Sequence, residues 1–390
     1  MKRIYLDYTA TTPVDRRVAE AMAPYLFDNF GNASSIHSFG RDAKYALEDS
    51  RERIARLTGT KTSEIFFTSG GTEADNAAVL GVGASGTSRK GIVISAIEHH
   101  AVLHTADSLK RHGFDVRVVA VDHRGIVDLD DYLKALGDDT LLVSIIHTNN
   151  ETGTIQDIPA LCRMAHGRGA LFHTDAVQAF GKTELDLQQS GVDLASLTAH
   201  KIYGPKGIGA LYVRRGTDIQ PIMHGGAQER NRRPGTESVF LAVGFAEAAS
   251  LAASELDSER SRLTSLNSTM RKRISSDVPG VVYNSDPEIS IPNILSVSID
   301  SREMEIDGEA LIVNMDLEGI SVTSGSACSS GSLQPSHVIK ALGRDNLTTM
   351  ATVRFSFGRF TTEEDIANAS GIFSKVVRRI GKRKRITLPA

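Results

Sequence analysis

The 390-residue sequence predicts an α/β protein, with a large domain built on a mostly parallel sheet and a smaller α+β domain after it. Three observations carry this expectation. Short apolar runs alternate with amphipathic stretches through the first two-thirds of the chain, the pattern of a parallel sheet covered by helices on both faces. The chain is too long for one ordinary core. After Pro279-Gly280 the alternation gives way to a different order of strands and helices.

Taken in order, Ala43, Leu47, Ser50, Ile54 and Leu57 step by four and three along one helical face. Glu64 to Thr68 reads as a strand, and Thr72 to Gly83 as the helix after it. Ile92 to Ile94, Val116 to Val121 and Leu141 to Ile146 are further strands. Asp157 to Arg168 reads as a helix, followed by the apolar run Leu171-Phe172, which leads into His173-Thr174-Asp175. Leu194 to Ala199 is another apolar run and ends at His200-Lys201, and Ile208 to Val213 is the next strand. One long helical stretch is expected from about Ser238 to Ser275, with Leu263, Leu266, Met270 and Ile274 in phase. Beyond it come strands at Val281 to Asn284 and Ile294 to Ile299, a helix, a Gly/Ser-rich loop, a strand at Ala351 to Phe357 and a last helix from Glu363. The division places residues 15–260 in the large domain. Residues 1–14 and 261–390 then form the small one, which carries the Gly/Ser-rich loop around Cys328.

Composition narrows the function. Hydrophobic residues make up 41% and charged residues 23%, as in globular proteins, and a net charge of −3 gives no field that recruits nucleic acid. The two cysteines, Cys162 and Cys328, make neither a disulfide framework nor a zinc spacing, so no metal centre is expected and a reducing, cytoplasmic setting is. The start meets Asp7 before an apolar signal region forms, so no signal peptide is expected. No apolar run reaches the ~18 residues of a membrane span.

Lys201 and Asp175 each fall at the carboxyl end of an expected strand, where α/β sheets bind ligands. A lysine amine and an acid so placed suit pyridoxal phosphate (PLP): the amine forms a Schiff base with the cofactor aldehyde, and the acid keeps the pyridine nitrogen protonated. Taken alone, the pair reads more readily as a solvated lysine and a helix cap. Thr68-Ser69-Gly70-Gly71-Thr72-Glu73 follows a strand and opens a helix, so it reads as a phosphate cup or a capped turn. Glu98-His99-His100 offers a ring-stacking, proton-transferring histidine or a cap. Asn149-Asn150 is either turn chemistry or an amide near a ligand ring.

Cys328 stands in Ser324-Gly325-Ser326-Ala327-Cys328-Ser329-Ser330-Gly331, which gives a thiol little to bury against. It reads as a nucleophile that moves between two places, whereas Cys162, in Leu161-Cys162-Arg163-Met164, reads as helix packing. Arg354, inside the apolar run Thr352-Val353-Arg354-Phe355-Ser356, needs an anion: a structural partner or a substrate carboxylate held by both guanidinium arms.

Together these motifs resemble the cysteine desulfurases, the NifS/IscS-like branch of the class V, fold type I PLP-dependent transferases. The resemblance runs from Tyr5-Leu6-Asp7-Tyr8-Thr9-Ala10-Thr11-Thr12-Pro13 to Arg354-Phe355-Ser356-Phe357-Gly358-Arg359-Phe360. It implies that Lys201 carries the cofactor, Asp175 pairs with the pyridine nitrogen, Gln178 bonds the ring hydroxyl and His99 stacks on the ring. Gly71, Thr72, Thr198 and His200 would hold the phosphate. Thr236, in Arg232-Arg233-Pro234-Gly235-Thr236-Glu237, would reach the phosphate of a second subunit, which makes a homodimer. Asn150 lies at the cofactor and, with Arg354, would bind the substrate carboxylate, and Cys328 would take sulfur from L-cysteine as a persulfide and leave L-alanine. The sulfur would pass to an acceptor protein, an iron–sulfur scaffold or a tRNA-thiolation protein, with no direct nucleic-acid or membrane partner. Scaffold-feeding members often have a longer tail than the one here; the basic run Lys382-Arg383-Lys384-Arg385 reads as a solvated end or a contact for an acidic partner. Rival readings are a selenocysteine lyase, a PLP aminotransferase of the same fold, which needs no mobile cysteine, and a non-catalytic homologue.

Overall fold

The computed structural model describes residues 3–325 and 334–383. Fourteen strands are formed among them: β1 (Ile4–Tyr5), β2 (Ile65–Thr68), β3 (Gly91–Ser95), β4 (Asp115–Val119), β5 (Thr140–Ser144), β6 (Leu171–Asp175), β7 (Leu194–Thr198), β8 (Gly209–Val213), β9 (Val281–Tyr283), β10 (Ile294–Ile299), β11 (Met304–Glu305), β12 (Ile320–Ser321), β13 (Thr352–Ser356) and β14 (Lys382–Arg383).

Seven of them make one sheet in the order β2-β8-β7-β6-β5-β3-β4. Every pairing from β4 to β7 is parallel, and β8 runs against both of its neighbours. Alternate residues feed opposite cores, because side chains on a strand have period two. Val93, Val143, Ala195, Leu197, Ala210 and Tyr212 face one core, while Ile92, Ile94, Leu142, Leu194, Leu211 and Val213 face the other. Both faces are covered, which is why these strands read as unbroken apolar runs. Helices Gly71–Gly83 and His100–Lys110 close one face with Ala78, Val82, Val102 and Leu109. Helices Ser38–Leu57, Ile158–His166 and Val239–Ser254 close the other.

A separate core forms around the antiparallel sheet β13-β10-β9. Leu266, Met270 and Ile274 of helix Leu256–Asp277 pack there, with Phe373 and Val377 of helix Glu363–Ile380. The first residues join this core: β1 pairs in parallel with β12, and Ile4 and Leu6 are buried in it.

The expected single helix from Ser238 to Ser275 is two helices, Val239–Ser254 and Leu256–Asp277, bent by 69°. The first is apolar nearly all round and buried in the large core, while the second sends one stripe to the small one. Glu255 stands at the break and pairs with Arg17 and Arg359. Periodicity persists across the bend, so the sequence hides the change of direction. Among the described residues no single helix is long and apolar enough to cross a membrane. Lys382–Arg383, read as part of a solvated end, forms β14 against Met304–Glu305, while Lys384 and Arg385 lie outside the described residues.

Candidate functional site

The carboxyl ends of β2, β3, β5, β6 and β7 converge on one cavity of about 400 Å³. Gly71, Thr72, His99, Asn150, Asp175, Gln178, Thr198, His200, Lys201 and Arg354 all line it, so one chain brings together ten of the residues singled out above. Thr236 is exposed and does not line this cavity. Cys328 lies outside the described residues; Gly325, just before its segment, is on the cavity wall.

Lys201 follows β7 and reaches back to the chain's first segment. Its Nζ donates to the carbonyls of Thr9 at 2.5 Å and Ala10 at 2.7 Å. Burial, together with the Arg354 charge, brings this amine down to about 8, so a usable fraction is neutral near physiological pH. Asp175 ends β6 with 4% of its surface exposed, and its Oδ1 accepts from the Val177 amide at 2.9 Å. Burial raises its pKa, against the pull of His99 and Lys201. His99 caps helix His100–Lys110 through Nδ1, which accepts from the Ala101 amide at 3.1 Å. Burial lowers its pKa, so the ring is neutral and its proton sits on Nε2.

The two readings of Asn149-Asn150 divide between the residues. Asn149 makes the turn, accepting from the amides of Glu151 and Thr152 at 2.9 Å each and donating to Ile97 at 2.9 Å. Asn150 is left for the cavity. Arg354 likewise has a structural partner: Nη2 donates to Asp7 Oδ1 at 2.9 Å and Nη1 to the Asn150 carbonyl at 2.8 Å. Its Nε is buried without a hydrogen-bond partner among the described residues. Gln178 lines the cavity with its amide engaged, Nε2 donating to Thr9 O at 3.1 Å and Oε1 accepting from Lys182 Nζ at 2.5 Å. His200 lies 3.2 Å from Thr11 Oγ1, and burial pushes it down to about 4. Cys162 is buried in its helix, where burial pushes the thiol up to about 12.

Sequence reasoning missed Asp7, Thr9, Ala10, Asp75, Val177 and Thr323, which also line the cavity. The first three come from the amino-terminal segment, more than 190 positions from Lys201. Asp75 had a signal: it is an acid among Ala74, Ala78, Val79 and Val82, on a helix face otherwise given to the core.

The donor set fits pyridoxal phosphate. A ring nitrogen would have the buried Asp175 carboxyl, an aldehyde Lys201, and a phosphate Thr72, Thr198 and the start of a 13-residue helix. Space is tight at that end: a Cβ added at Gly71 would stand 2.7 Å from Val177 Cγ2. The donor atoms of Asp75, His99 and Asp175 lie within 4.8 Å of one another.

Fold and cavity together define a class of enzyme: the aminotransferase class-V family matches residues 4–368, and the chain belongs to that family of PLP-dependent enzymes. Within it stand the cysteine desulfurases. The chain is 45% identical over 382 residues to cysteine desulfurase IscS of Dictyoglomus turgidum, covering 97% of this chain and 96% of the relative. It is also similar to a solved NifS-like protein, with a TM-score of 0.90 and 37% identity over 97% of this chain and 100% of the other. A third likeness is SspA in complex with cysteine, with a TM-score of 0.79 and 33% identity over 92% and 100% of the two chains.

Proposed function

We propose that this protein removes sulfur from L-cysteine, with Cys328 as the acceptor thiol and L-alanine as the other product. The observation that carries the reading is the meeting of Lys201, Asp175, His99 and Arg354 at one cavity, in a chain 45% identical to a cysteine desulfurase. SspA, a neighbour in fold, binds cysteine.

When bound, pyridoxal phosphate supplies an electron sink for the substrate α-carbon. The residues supply the rest. Lys201, its free amine brought down to about 8, would join the cofactor aldehyde from its neutral form and, when released, would be the base that moves the α-proton. Asp175 meets the ring nitrogen as an anion, in a buried setting where the pairing is strong. His99, on the cavity wall, would face the ring and hold a proton at Nε2 for transfer. Asn150 and Arg354, both on the cavity wall, would take the substrate carboxylate. Gln178 serves the ring hydroxyl by giving up its bonds to Thr9 and Lys182.

The same reading divides the chain into a large domain, 15–260, and a small one, 1–14 with 261–390. It also makes the protein a cytoplasmic homodimer. Phe27, Phe30, Ile36, Phe39 and Tyr45 are exposed together near the amino end, with Ile36 at 91%, and such a patch suits a second copy. Thr236, exposed and away from its own cavity, would then serve the neighbour's phosphate. Sulfur passes from Cys328 to an acceptor protein, an iron–sulfur scaffold or a tRNA-thiolation protein.

The test is product analysis. Purified protein with pyridoxal phosphate, L-cysteine and a thiol reductant is expected to yield alanine and sulfide in equal amounts. Pyruvate and ammonia, or an amino-group transfer to a keto acid, would replace this reading. A large preference for L-selenocysteine would move it to a selenocysteine lyase. Size measurement in solution tests the dimer.

A further inference from the structure

Asp75 is a buried acid that none of the assigned roles uses. It lies in the second turn of helix Gly71–Gly83, is 1% exposed and lines the cavity. Its Oδ1 has no hydrogen-bond partner among the described residues. The imidazole beside it, His173, lies 3.7 Å away and is committed elsewhere, to Ser144 Oγ at 2.8 Å and Ser196 Oγ at 3.0 Å. His173 is wholly buried, which pushes it down to about 3, so it brings no positive charge.

Asp175 is the near neighbour that matters, because its carboxylate oxygen and that of Asp75 lie within 4.8 Å. Two carboxylates that close in a dry site do not both ionise. Their surroundings differ. Asp175 has the Val177 amide at 2.9 Å and feels the charge of Lys201. Asp75 has the Ser196 hydroxyl, and it faces Asp175 and Glu98, both acids; burial raises its pKa well above the ordinary carboxyl range. Glu98, itself wholly buried, is pushed up to about 8 and adds little negative charge at neutral pH.

We propose that Asp75 is a positioning residue that keeps the shared proton of this carboxyl pair, so that Asp175 meets the cofactor's ring nitrogen as the anion. The inference rests on the role given to Asp175 above. A neutral Asp75 is still a hydrogen-bond donor and fills the wall behind the ring, where a second anion would compete for the same proton.

Asp75→Asn retains the shape and the neutrality, so it separates the proton from the packing. Two measurements on apoprotein decide. The first is the Kd of pyridoxal 5′-phosphate at neutral pH. Asp75→Asn is expected to stay within about threefold of wild type, while Asp175→Asn weakens binding by about tenfold or more. The second is thermal unfolding from about pH 4.5 to about pH 8. An acid whose folded pKa is raised costs stability progressively as pH climbs from the unfolded value toward the folded one. Wild type therefore loses ground to Asp75→Asn across this range, and the Tm gap in favour of the variant widens with pH. A tenfold loss of affinity in Asp75→Asn, or a gap that does not widen, would overturn the proposal. Unchanged affinity in Asp175→Asn with a widening gap would instead remove the role of Asp175 and leave the proton on Asp75.

Discussion

Replacing Arg354 by alanine tests whether the cavity binds a carboxylate. The guanidinium lies in β13 with 5% of its surface exposed, one arm on Asp7 and one on the Asn150 carbonyl, and its Nε has no partner among the described residues. Two losses follow. Asp7 keeps 21% of its side chain exposed, so leaving it unpaired costs less than in a fully buried pair: about 2–3 kcal/mol rather than the 3–5 kcal/mol of that case. At this chain length that is a fall in Tm of roughly 3 °C. The substrate carboxylate loses a charge-assisted bond of about 1.5–3 kcal/mol, which raises KM roughly ten- to hundredfold. Asp7→Asn provides the control, because it breaks the same pair and leaves the guanidinium in place. Steady-state alanine release and thermal melts on both variants separate the effects. A KM in Arg354→Ala within twofold of wild type, or an equal rise in Asp7→Asn, would refute the substrate role.

Lys201→Ala is expected to abolish alanine formation and the visible absorbance of the cofactor-loaded protein. Lys182, the other buried amine nearby, reaches Gln178 and does not line this cavity, so it should not substitute. Because the Lys201 amine titrates near 8, the rate at which apoprotein takes up the cofactor covalently should rise with pH to about 8 and then level; a flat profile would contradict that placement. Gly71→Ala puts a methyl group 2.7 Å from Val177 Cγ2 and is expected to weaken cofactor binding, read as a higher Kd, with little loss in apoprotein stability.

The fold was legible wherever burial on both faces makes a strand apolar throughout. β2, β3, β5 and β8 were expected almost to the residue, since no competing pattern interrupts them. The two-residue strands β1, β11, β12 and β14 were not, because each is defined by a partner far along the chain and too short to carry a period. The 69° bend at Glu255 escaped for a related reason: ion pairs to Arg17 and Arg359 fix it, and both are distant in sequence. In the cavity, Lys201, Asp175 and His99 were legible because each stands at or shortly after the carboxyl end of a strand. Asp7, Thr9 and Ala10 line the same cavity without such a cue, since only the folded chain brings the amino-terminal segment to Lys201. Asp75 shows the limit of pattern alone, for an acid on an apolar helix face marks burial without saying what it faces.

The central claim is that sulfur leaves cysteine and arrives at Cys328. One experiment addresses it directly: mix L-cysteine with wild type, Cys328→Ser and Cys162→Ser, quantify alanine, and map persulfide by mass spectrometry. A serine hydroxyl is neither ionised at neutral pH nor able to hold a transferred sulfur. Cys162, buried with its thiol pushed up to about 12, is a packing residue. Wild type and Cys162→Ser are therefore expected to release alanine at similar rates and to carry persulfide on Cys328, while Cys328→Ser loads the cofactor but releases alanine far more slowly. Normal alanine release in Cys328→Ser, or persulfide mapped to Cys162, would contradict the account.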